Sequence, residues 1–398
     1  MMQAVKISEK VYWVGAIDWN LRDFHGYATR RGTTYNAYLV LGDKPTLIDT
    51  VKKEFYDEMM QRIQSVIDPK KIEIIISNHA ELDHSGALAQ TIAAVKPQAV
   101  YASAMGVKNL TAHFHEDLHL TTVKTGDKID VGGDHIAFVE ARMLHWPDSM
   151  FSYLEKENIL FSNDVFGMHY ATGRLFDDEN DERIWMQEAE KYYANIVLPY
   201  SDIVLRFLEQ LKKINLSPKL IAPDHGFIWR KDPQRIVALY AQWAAQKPTN
   251  KAVIIYDTMW GSTDKMARQI ADGLRAGGSE VRLLSMHQND RSQAALELLD
   301  GAALIVGSPV LNSQIFPSMA DVLCYLKGLR KKNLIGAAFG SYGWNGAPVD
   351  GLTKTLEEMG AEIVSPAIKT MFVPDDKTLQ LCYELGLQIS RQIAAKIS

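Results

Sequence analysis

A dense run of possible metal ligands lies at residues 79–84, which read His-Ala-Glu-Leu-Asp-His. The run follows an apolar stretch at 72–76 that predicts a buried strand, and it leads into a predicted helix. In an extended segment alternate side chains point the same way, so the first, third and fifth residues are expected to converge. The sixth residue joins them from the turn into the helix. Imidazole and carboxylate groups in this density are typical ligands for zinc, iron or manganese. The four candidates are His79, Glu81, Asp83 and His84.

Three more candidates stand directly after other apolar stretches, namely His145, Asp164 and His225. A lone polar residue at a strand end is more often a turn former than a ligand, but the repeated placement favours a shared site. Seven candidates are enough for two metal ions with Asp164 as a bridge. A similar run at 113–119, His-Phe-His-Glu-Asp-Leu-His, follows no strand and is interpreted as a solvated surface segment.

A second kind of site is predicted where the strand near 252–256 runs into a loop of hydroxyl and small residues. Backbone N–H groups at the start of the next helix, with the loop hydroxyls, would bind a phosphate. The sequence has no G-x-x-x-x-G-K-[ST] and no G-x-G-x-x-G, which disfavours an NTPase loop and dinucleotide binding. The loop residues are Thr258, Met259, Trp260, Gly261, Ser262 and Thr263.

Two later loops follow strands of the same predicted sheet, and ligands bind at that edge in open α/β sheets. Their aromatic side chains offer flat faces to a flavin ring, and their glycines allow close approach of the backbone. The alternative is that these residues have only a structural role, as a hydroxyl-rich helix start and two ordinary glycine loops. Because all three loops occur together, a flavin site is favoured. The residues are Ser308, Pro309, Val310, Leu311, Asn312, Ser313, Gly340, Ser341, Tyr342, Gly343, Trp344, Asn345 and Gly346.

The elements that position these residues change character near residue 245. Short apolar strands broken by turns come first, and the polar, proline-containing segment 246–250 follows. Strands and helices then alternate regularly, which predicts a doubly wound parallel sheet. We therefore predict two domains, at 1–247 and 251–398. The later strands are expected near 252–256, 280–284, 302–306 and 334–339, and the helices near 264–276, 317–327, 348–359 and 377–396.

The composition of the chain limits the class of protein, its partners and its location. The 398 residues are 47% hydrophobic and 23% charged, which is an ordinary globular balance. The formal net charge of −5 gives no argument for nucleic acid or an anionic membrane as a partner. The sequence shows no membrane-spanning run and no signal peptide, so a cytoplasmic protein is expected. Of the two cysteines, Cys324 lies in an apolar helical pattern that predicts a buried thiol.

The metal candidates resemble the metallo-β-lactamase fold, whose motif H-x-H-x-D-H is followed by a distant His, Asp and His. Glu81 replaces the second histidine of that motif, which is the pattern of the flavodiiron proteins. Residues 144–150 and 18–26 are also similar to that family, and the resemblance covers essentially the whole chain. It implies an N-terminal metallo-β-lactamase-like αββα sandwich and a C-terminal flavodoxin-like doubly wound parallel sheet. It also implies that the flavin is FMN.

The resemblance assigns the ligands to two irons. It implies that His79, Glu81 and His145 hold one iron, that Asp83, His84 and His225 hold the other, and that Asp164 bridges them. In some members water displaces the equivalent of His84. His25 and Tyr193 are candidate donors to bound oxygen atoms, with ordinary packing as an equal alternative.

The implied activity is reduction of O2 to water, of NO to N2O, or of both. The sequence leaves the preferred gas open. It lacks the four cysteines of a rubredoxin, so a separate carrier such as rubredoxin is expected to supply electrons. The family resemblance further implies a head-to-tail homodimer, or a dimer of dimers. The competing hypotheses are a zinc hydrolase of the lactamase fold fused to a flavodoxin, and an electron carrier that uses only the FMN.

Overall fold

The computed structural model describes residues 2–398, which divide into two compact units. The first contains Thr29–Tyr192 and Asp202–Ala241 together with the residues before His25. The second contains Gln242–Ser398 and takes in two short segments, His25–Ala28 and Tyr193–Ser201. The predicted domain limits at 247 and 251 stay a prediction.

Two mixed sheets form the first unit, with strand orders β1-β2-β7-β8-β9-β10-β11 and β12-β13-β14-β15-β16. The strands up to residue 222 are β1 Val5–Lys6, β2 Val11–Trp13, β3 Ala16–Asp18, β4 Asp23–Phe24, β5 Tyr27–Ala28, β6 Thr33–Tyr35, β7 Tyr38–Val40, β8 Thr46–Ile48, β9 Ile74–Ser77, β10 Ala99–Ser103, β11 Leu120–Val123, β12 Lys128–Asp130, β13 His135–Glu140, β14 Met150–Leu154, β15 Ile159–Phe161 and β16 Leu220–Ala222. The helices up to residue 244 are α1 Tyr56–Gln64, α2 Leu82–Ser85, α3 Leu88–Val95, α4 Ala104–Phe114, α5 Glu182–Tyr192, α6 Ser201–Lys213 and α7 Pro233–Ala244.

Strand β9 explains why the first unit has layers. Its side chains alternate, so Ile74 and Ile76 enter the core between the two sheets while Ile75 enters the core beneath α1, α3 and α4. On the far side of the other sheet, Phe151 packs edge-on against Phe207 of α6. Burial of each such isoleucine or phenylalanine side chain contributes roughly 1.5–3 kcal/mol to the stability of the fold. The resulting order is helices, sheet, sheet, helices, which confirms the predicted αββα sandwich.

Parallel pairing brings the predicted metal ligands to the carboxyl ends of strands. β8, β9 and β10 run parallel in one sheet, and β15 and β16 run parallel in the other. His79 follows β9, Asp164 follows β15 and His225 follows β16. Residues far apart in sequence therefore converge on one end of the sandwich.

The prediction of an extended segment through Asp83 is wrong at its end, because the helical turn that was expected at His84 begins earlier. α2 begins at Leu82, with Glu81 as its N-terminal cap residue, so Asp83 and His84 lie in a helical turn. His79 and Glu81 alternate along extended backbone, whereas the next two ligands follow the spacing of a helix. This change of backbone lets one short segment supply two separate groups of ligands.

The second unit is a parallel sheet with strand order β18-β17-β19-β21-β22. Its strands are β17 Lys251–Tyr256, β18 Glu280–Ser285, β19 Ala303–Leu311, β20 Gln314–Ile315, β21 Ile335–Tyr342, β22 Glu362–Ile363 and β23 Ile368–Met371. Its helices are α8 Ser262–Ala276, α9 Arg291–Leu298, α10 Pro317–Gly328, α11 Ala347–Glu358 and α12 Asp376–Ile397. Numbered within the unit, the order of the main strands is 2-1-3-4-5. This confirms the doubly wound sheet that the alternation predicted and the flavodoxin-like arrangement that the resemblance implied.

Helices cover the second sheet on both faces. α8 and α12 bury their apolar sides on one face, where Ile270 and Ile389 join the sheet core. α11 covers the other face, and its Val349 lies so close to Gly340 that a Cβ there would be 2.8 Å from it. α9, which the sequence analysis did not predict, follows β18.

Cys324 corrects one expectation. It lies on the exposed side of α10, whereas Cys382 of α12 is buried. The apolar pattern of α10 is real, but Val322, Leu323 and Leu326 form its buried side, and Cys324 falls outside that side. In the part of the chain from residue 2 onward, no helix has the length and apolarity needed to cross a membrane.

Candidate functional site

The first ligand group is held by carboxylate contacts. Nε2 of His79 lies 3.3 Å from Oε2 of Glu81 and 3.3 Å from Oδ2 of Asp164. Nε2 of His145 lies 3.2 Å from each of the same two oxygen atoms. Two imidazoles and two carboxylates thus direct one atom each toward a common point.

The second group is arranged in the same way around the other oxygen of Asp164. Nε2 of His84 is 3.1 Å and Nε2 of His225 is 3.4 Å from Oδ1 of Asp164. Asp83 completes the group, with Oδ2 3.2 Å from His225 and Oδ1 3.4 Å from His84. The structure therefore brings all seven predicted ligands together in two groups that share Asp164.

The donor atoms have the spacing that two metal ions require. Ligand atoms at about 2.1 Å from one ion lie roughly 3.0–3.4 Å apart in tetrahedral or octahedral geometry. Within the described residues, the carboxylate oxygens of Asp83 and Asp164 and Nε2 of His84 are buried without a hydrogen-bond partner. Buried polar atoms are normally satisfied, so atoms left open toward one another fit a site built for cations.

Charge holds the metal-free arrangement together. Burial opposes protonation of His84, but the carboxylates of Asp83 and Asp164 outweigh it and raise the pKa to about 10. Burial likewise opposes protonation of His145, and the nearby carboxylates of Asp164 and Glu81 raise its pKa to about 9. Burial would raise the pKa of Asp164, yet His84 and His145 hold it well below the usual value. Imidazolium groups therefore stand in for the metal charge.

Asp148 supports the first group and was not predicted as a functional residue. Its Oδ2 lies 3.1 Å from Nδ1 of His79, and the same oxygen accepts the N–H of Ala80 at 2.7 Å. Nδ2 of Asn109 donates to its other oxygen at 2.9 Å. A carboxylate behind a ligating histidine orients the ring and selects its tautomer. Its place just after His145 in the segment 144–150 was the available signal.

A wall of aromatic and imidazole rings backs the second group. The ring of His169 lies 4.7 Å from that of His225 and 5.1 Å from that of Tyr192. Burial holds the pKa of His169 well below its usual value, so this ring is neutral. His169 has no motif around it, and Tyr192 is adjacent to the tyrosine that was predicted, so neither stood out in the sequence.

The two predicted oxygen donors lie in segments that group with the second unit. His25 is exposed and has a left-handed φ of 54°. Tyr193 is buried, and its hydroxyl lies 3.1 Å from Oγ of Ser201. Their role in the reaction stays a prediction. The segment 113–119 is confirmed as a surface feature, since His113, His115 and His119 are exposed.

The flavin loops border a cavity of about 430 Å³ at the carboxyl edge of the second sheet. Trp260 and Trp344 stand at its rim with exposed rings, at 94% and 88% of their full exposure. Phe372 and Val373, from the segment after β23, also line it and were not predicted. The predicted residues that line the cavity are Met259, Trp260, Ser262, Pro309, Val310, Leu311, Asn312, Ser341, Tyr342, Gly343 and Trp344.

The other predicted loop residues shape these loops. Gly261 caps α8 with φ 84° and has open space where a side chain would project. Oγ1 of Thr258 accepts the N–H of Gly261, and Oγ1 of Thr263 lies 3.0 Å from Oγ of Ser341. The start of a fifteen-residue helix and these hydroxyls suit a phosphate. In the second loop, Oγ of Ser308 accepts the N–H of Phe316, and Asn312 and Ser313 have left-handed backbone conformations. In the third loop, Gly340 lies against the backbone of Ser308. Oδ1 of Asn345 accepts the N–H of Ala347, and Gly346 precedes α11.

Comparison with protein families gives two matches along the chain. Residues 33–226 match the family described as ODP family beta lactamase. Residues 254–386 match the flavodoxin family. The first match contains all seven metal candidates, and the second contains the three flavin loops.

Full-length relatives are similar over both parts. A protein of Moorella thermoacetica called nitric oxide reductase is 46% identical over 99% of this chain and 100% of its own length. The solved rubredoxin oxygen:oxidoreductase of Desulfovibrio gigas is 44% identical, with a TM-score of 0.98 over 100% of both chains. The flavodiiron protein of Giardia intestinalis is 32% identical, with a TM-score of 0.95 over 100% of this chain and 98% of that one.

Proposed function

Because this chain belongs to the flavodiiron protein family, we propose that it is an oxidoreductase that reduces O2, NO or both at a diiron site. Electrons reach that site through a bound FMN. The arrangement of Asp164 carries the proposal, since each of its two oxygens faces a different group of imidazoles at 3.1–3.4 Å. A carboxylate in that position holds two ions close enough to act on one small molecule.

Seven side chains would hold the irons. His79, Glu81 and His145 would bind one ion, Asp83, His84 and His225 would bind the other, and Asp164 would bind both. The irons, when bound, supply electrons and Lewis-acid positions for a diatomic gas. The chain contributes a fixed geometry, because Asp148 orients His79 and the backbone oxygen of Thr34 accepts the Nδ1–H of His225 at 2.6 Å.

Glu81 argues against the hydrolase alternative. A carboxylate is a harder and more anionic ligand than imidazole, so its presence favours iron over zinc. Its oxygen contacts both His79 and His145, and these contacts hold its pKa far below the usual value against the opposing effect of burial. Glu81 is therefore an ionised ligand at neutral pH.

The second unit would bind the FMN. The start of α8 and the hydroxyls of Thr258, Ser262 and Thr263 would hold the phosphate, and Tyr342 and Trp344 would flank the ring. The chemistry that FMN supplies is storage of two electrons for transfer one at a time. Pro309 and Val310 are apolar and would exclude water from the part of the ring that they cover.

Electrons would arrive from a separate carrier such as rubredoxin. We also propose a head-to-tail homodimer, or a dimer of dimers, in a cytoplasmic protein. Large apolar side chains are exposed around the flavin pocket, and the part of them that a bound FMN would not cover supports an assembly. They are Met259, Trp260, Leu311, Trp344, Phe372 and Val373.

Gas consumption by the purified chain tests the proposal. Rubredoxin is reduced chemically under anaerobic conditions, and O2 and NO are supplied separately to an electrode cell. We expect rapid loss of at least one gas. Asp164→Asn should abolish it, because the bridge loses its charge, whereas His115→Ala in the exposed segment should not change it.

The outcomes separate the alternatives. Loss of one gas identifies the preferred substrate, and similar loss of both indicates a dual reductase. A chain that holds FMN and two metal ions but consumes neither gas would refute the reductase function. Zinc analysis and a hydrolase screen would then test the first alternative.

A further inference from the structure

The buried ligand histidines differ in how their second ring nitrogen is held. Nδ1 of His79 has Asp148 at 3.1 Å, and Nδ1 of His225 donates to the backbone oxygen of Thr34 at 2.6 Å. Each of these rings is thereby fixed with Nε2 toward the metal centre. Hydrogen-bond partners of this kind orient a metal-binding histidine and strengthen metal binding.

His84 lacks such a hydrogen bond. Its Nδ1 faces Oδ2 of Asp224 at 3.6 Å, which exceeds the usual hydrogen-bond length of about 2.9 Å. From residue 2 to residue 398, neither this nitrogen nor either carboxylate oxygen of Asp224 has a hydrogen-bond partner. Both side chains are fully buried, at 0% exposure. Nδ1 of His84 and the carboxyl group of Asp224 therefore face each other in the protein interior without a hydrogen bond between them.

The backbone of Asp224 is fixed while its carboxylate is not. Its N–H donates to the backbone oxygen of Asn163 at 2.8 Å, and its backbone oxygen accepts the N–H of Asn36 at 2.7 Å. A small rotation of the side chain or of the His84 ring is enough to close the remaining gap. A hydrogen bond from Nδ1 to Asp224 would hold the ring with Nε2 directed toward the metal position.

We propose that Asp224 is a positioning residue for His84, and that it determines how tightly the metal position of Asp83, His84 and His225 is filled. This inference rests on the proposed diiron site and adds a residue outside the ligand set. With the carboxylate present, the His84 ring stays turned toward Asp83 and Asp164. Without it, the ring loses the carboxyl group that faces its Nδ1, and the position becomes the weaker of the two.

The test is anaerobic titration of the full-length, FMN-loaded, metal-free chain with ferrous iron against a competing chelator. Asp224→Asn replaces the carboxyl group that faces Nδ1 of His84 with an amide at nearly constant volume. We expect roughly 10- to 100-fold weaker binding at one of the two positions and unchanged binding at the other. Mössbauer spectra of the loaded protein should show one altered iron signal. Asp134→Asn is the matched control, because Asp134 is a buried carboxylate of the same unit that bonds to Lys156 and His135 instead of a ligand.

A double-mutant cycle with His84→Ala identifies the route of the effect. If Asp224 acts through His84, adding Asp224→Asn to His84→Ala should weaken iron binding no further. Wild-type binding in Asp224→Asn, equal weakening of both positions, or additive losses in the double variant would each overturn the inference. If Asp224→Asn does not fold, Asp224→Ser gives the same comparison with a smaller polar side chain. A wild-type chain that binds fewer than two irons would instead refute the diiron site itself.

Discussion

Metal binding by this chain should release protons and should therefore become stronger as the pH rises. Three imidazoles of the centre are protonated in the metal-free protein, because neighbouring carboxylates outweigh the effect of burial. The pKa of His84 is raised to about 10 and that of His145 to about 9, and that of His79 lies well above its usual value. A metal ion binds only the deprotonated ring, so each proton competes with it.

The size of the effect follows from counting these groups. Glu81 and Asp164 have lowered pKa values and are already ionised, so they contribute no protons at neutral pH. Filling both positions below pH 9 should release about three protons. The overall binding constant should then rise by roughly a factor of 1,000 per pH unit, or ~4 kcal/mol at 1.36 kcal/mol per proton. The dependence should flatten as the pH passes about 9 to 10, where the imidazoles lose their protons without a metal.

Calorimetric titration measures this directly. Metal-free protein is titrated with zinc near pH 7.5 in two buffers of different ionisation enthalpy, and the difference in heat gives the number of protons released. His84→Ala should lower that number by about one, because it removes one of the protonated rings. His115→Ala, in the exposed segment, should leave it unchanged. Release of fewer than about one proton, or an unchanged count in His84→Ala, would refute the charge balance described above.

Four further results are expected. Asp148→Asn should weaken metal binding at the His79 position about 10- to 100-fold in a chelator titration, because the ring loses its oriented partner. Trp344→Ala should weaken FMN binding about 2- to 10-fold in a fluorescence titration, because a stacked ring contributes ~0.5–1.5 kcal/mol. Gly386→Ala should lower stability by about 1–3 kcal/mol in thermal unfolding, since its Cβ would lie 2.3 Å from a carbonyl oxygen of α8. The melting temperature of the metal-free protein should fall as the pH rises through about 9 to 10, because raised imidazole pKa values stabilise the fold fully only below about 6.5.

Several features of this protein can be predicted from local sequence alone. The alternation after residue 250 predicts the parallel sheet, because each strand and helix has its own hydrophobic period. The ligand candidates are visible because each follows an apolar strand, and a residue in that position is held at the edge of a sheet. Glu81 in place of a histidine indicates the class of metal, since the ligand type is a property of one residue.

Other features depend on contacts between distant parts of the chain. Asp224 faces His84 across 140 positions of sequence only because the strands before them end at the same side of the sandwich. Nothing near His169 marks it as a neighbour of His225, and the turn of helix at Leu82 could not be read from a short mixed segment. Cys324 was predicted to be buried because its neighbours are apolar, yet helix orientation leaves it exposed.

Whether a feature can be predicted from local sequence or depends on the tertiary structure follows from the range of the forces involved. Hydrophobic periodicity and ligand chemistry act within a few residues, so the sequence by itself determined the parallel sheet of the second unit, the seven metal candidates and the flavin loops. The pairing of imidazoles with Asp164, the partners behind each ring and the aromatic wall depend on where whole strands end. Only the tertiary structure decided these contacts, because packing brings together side chains whose positions in the sequence carry no mark of each other.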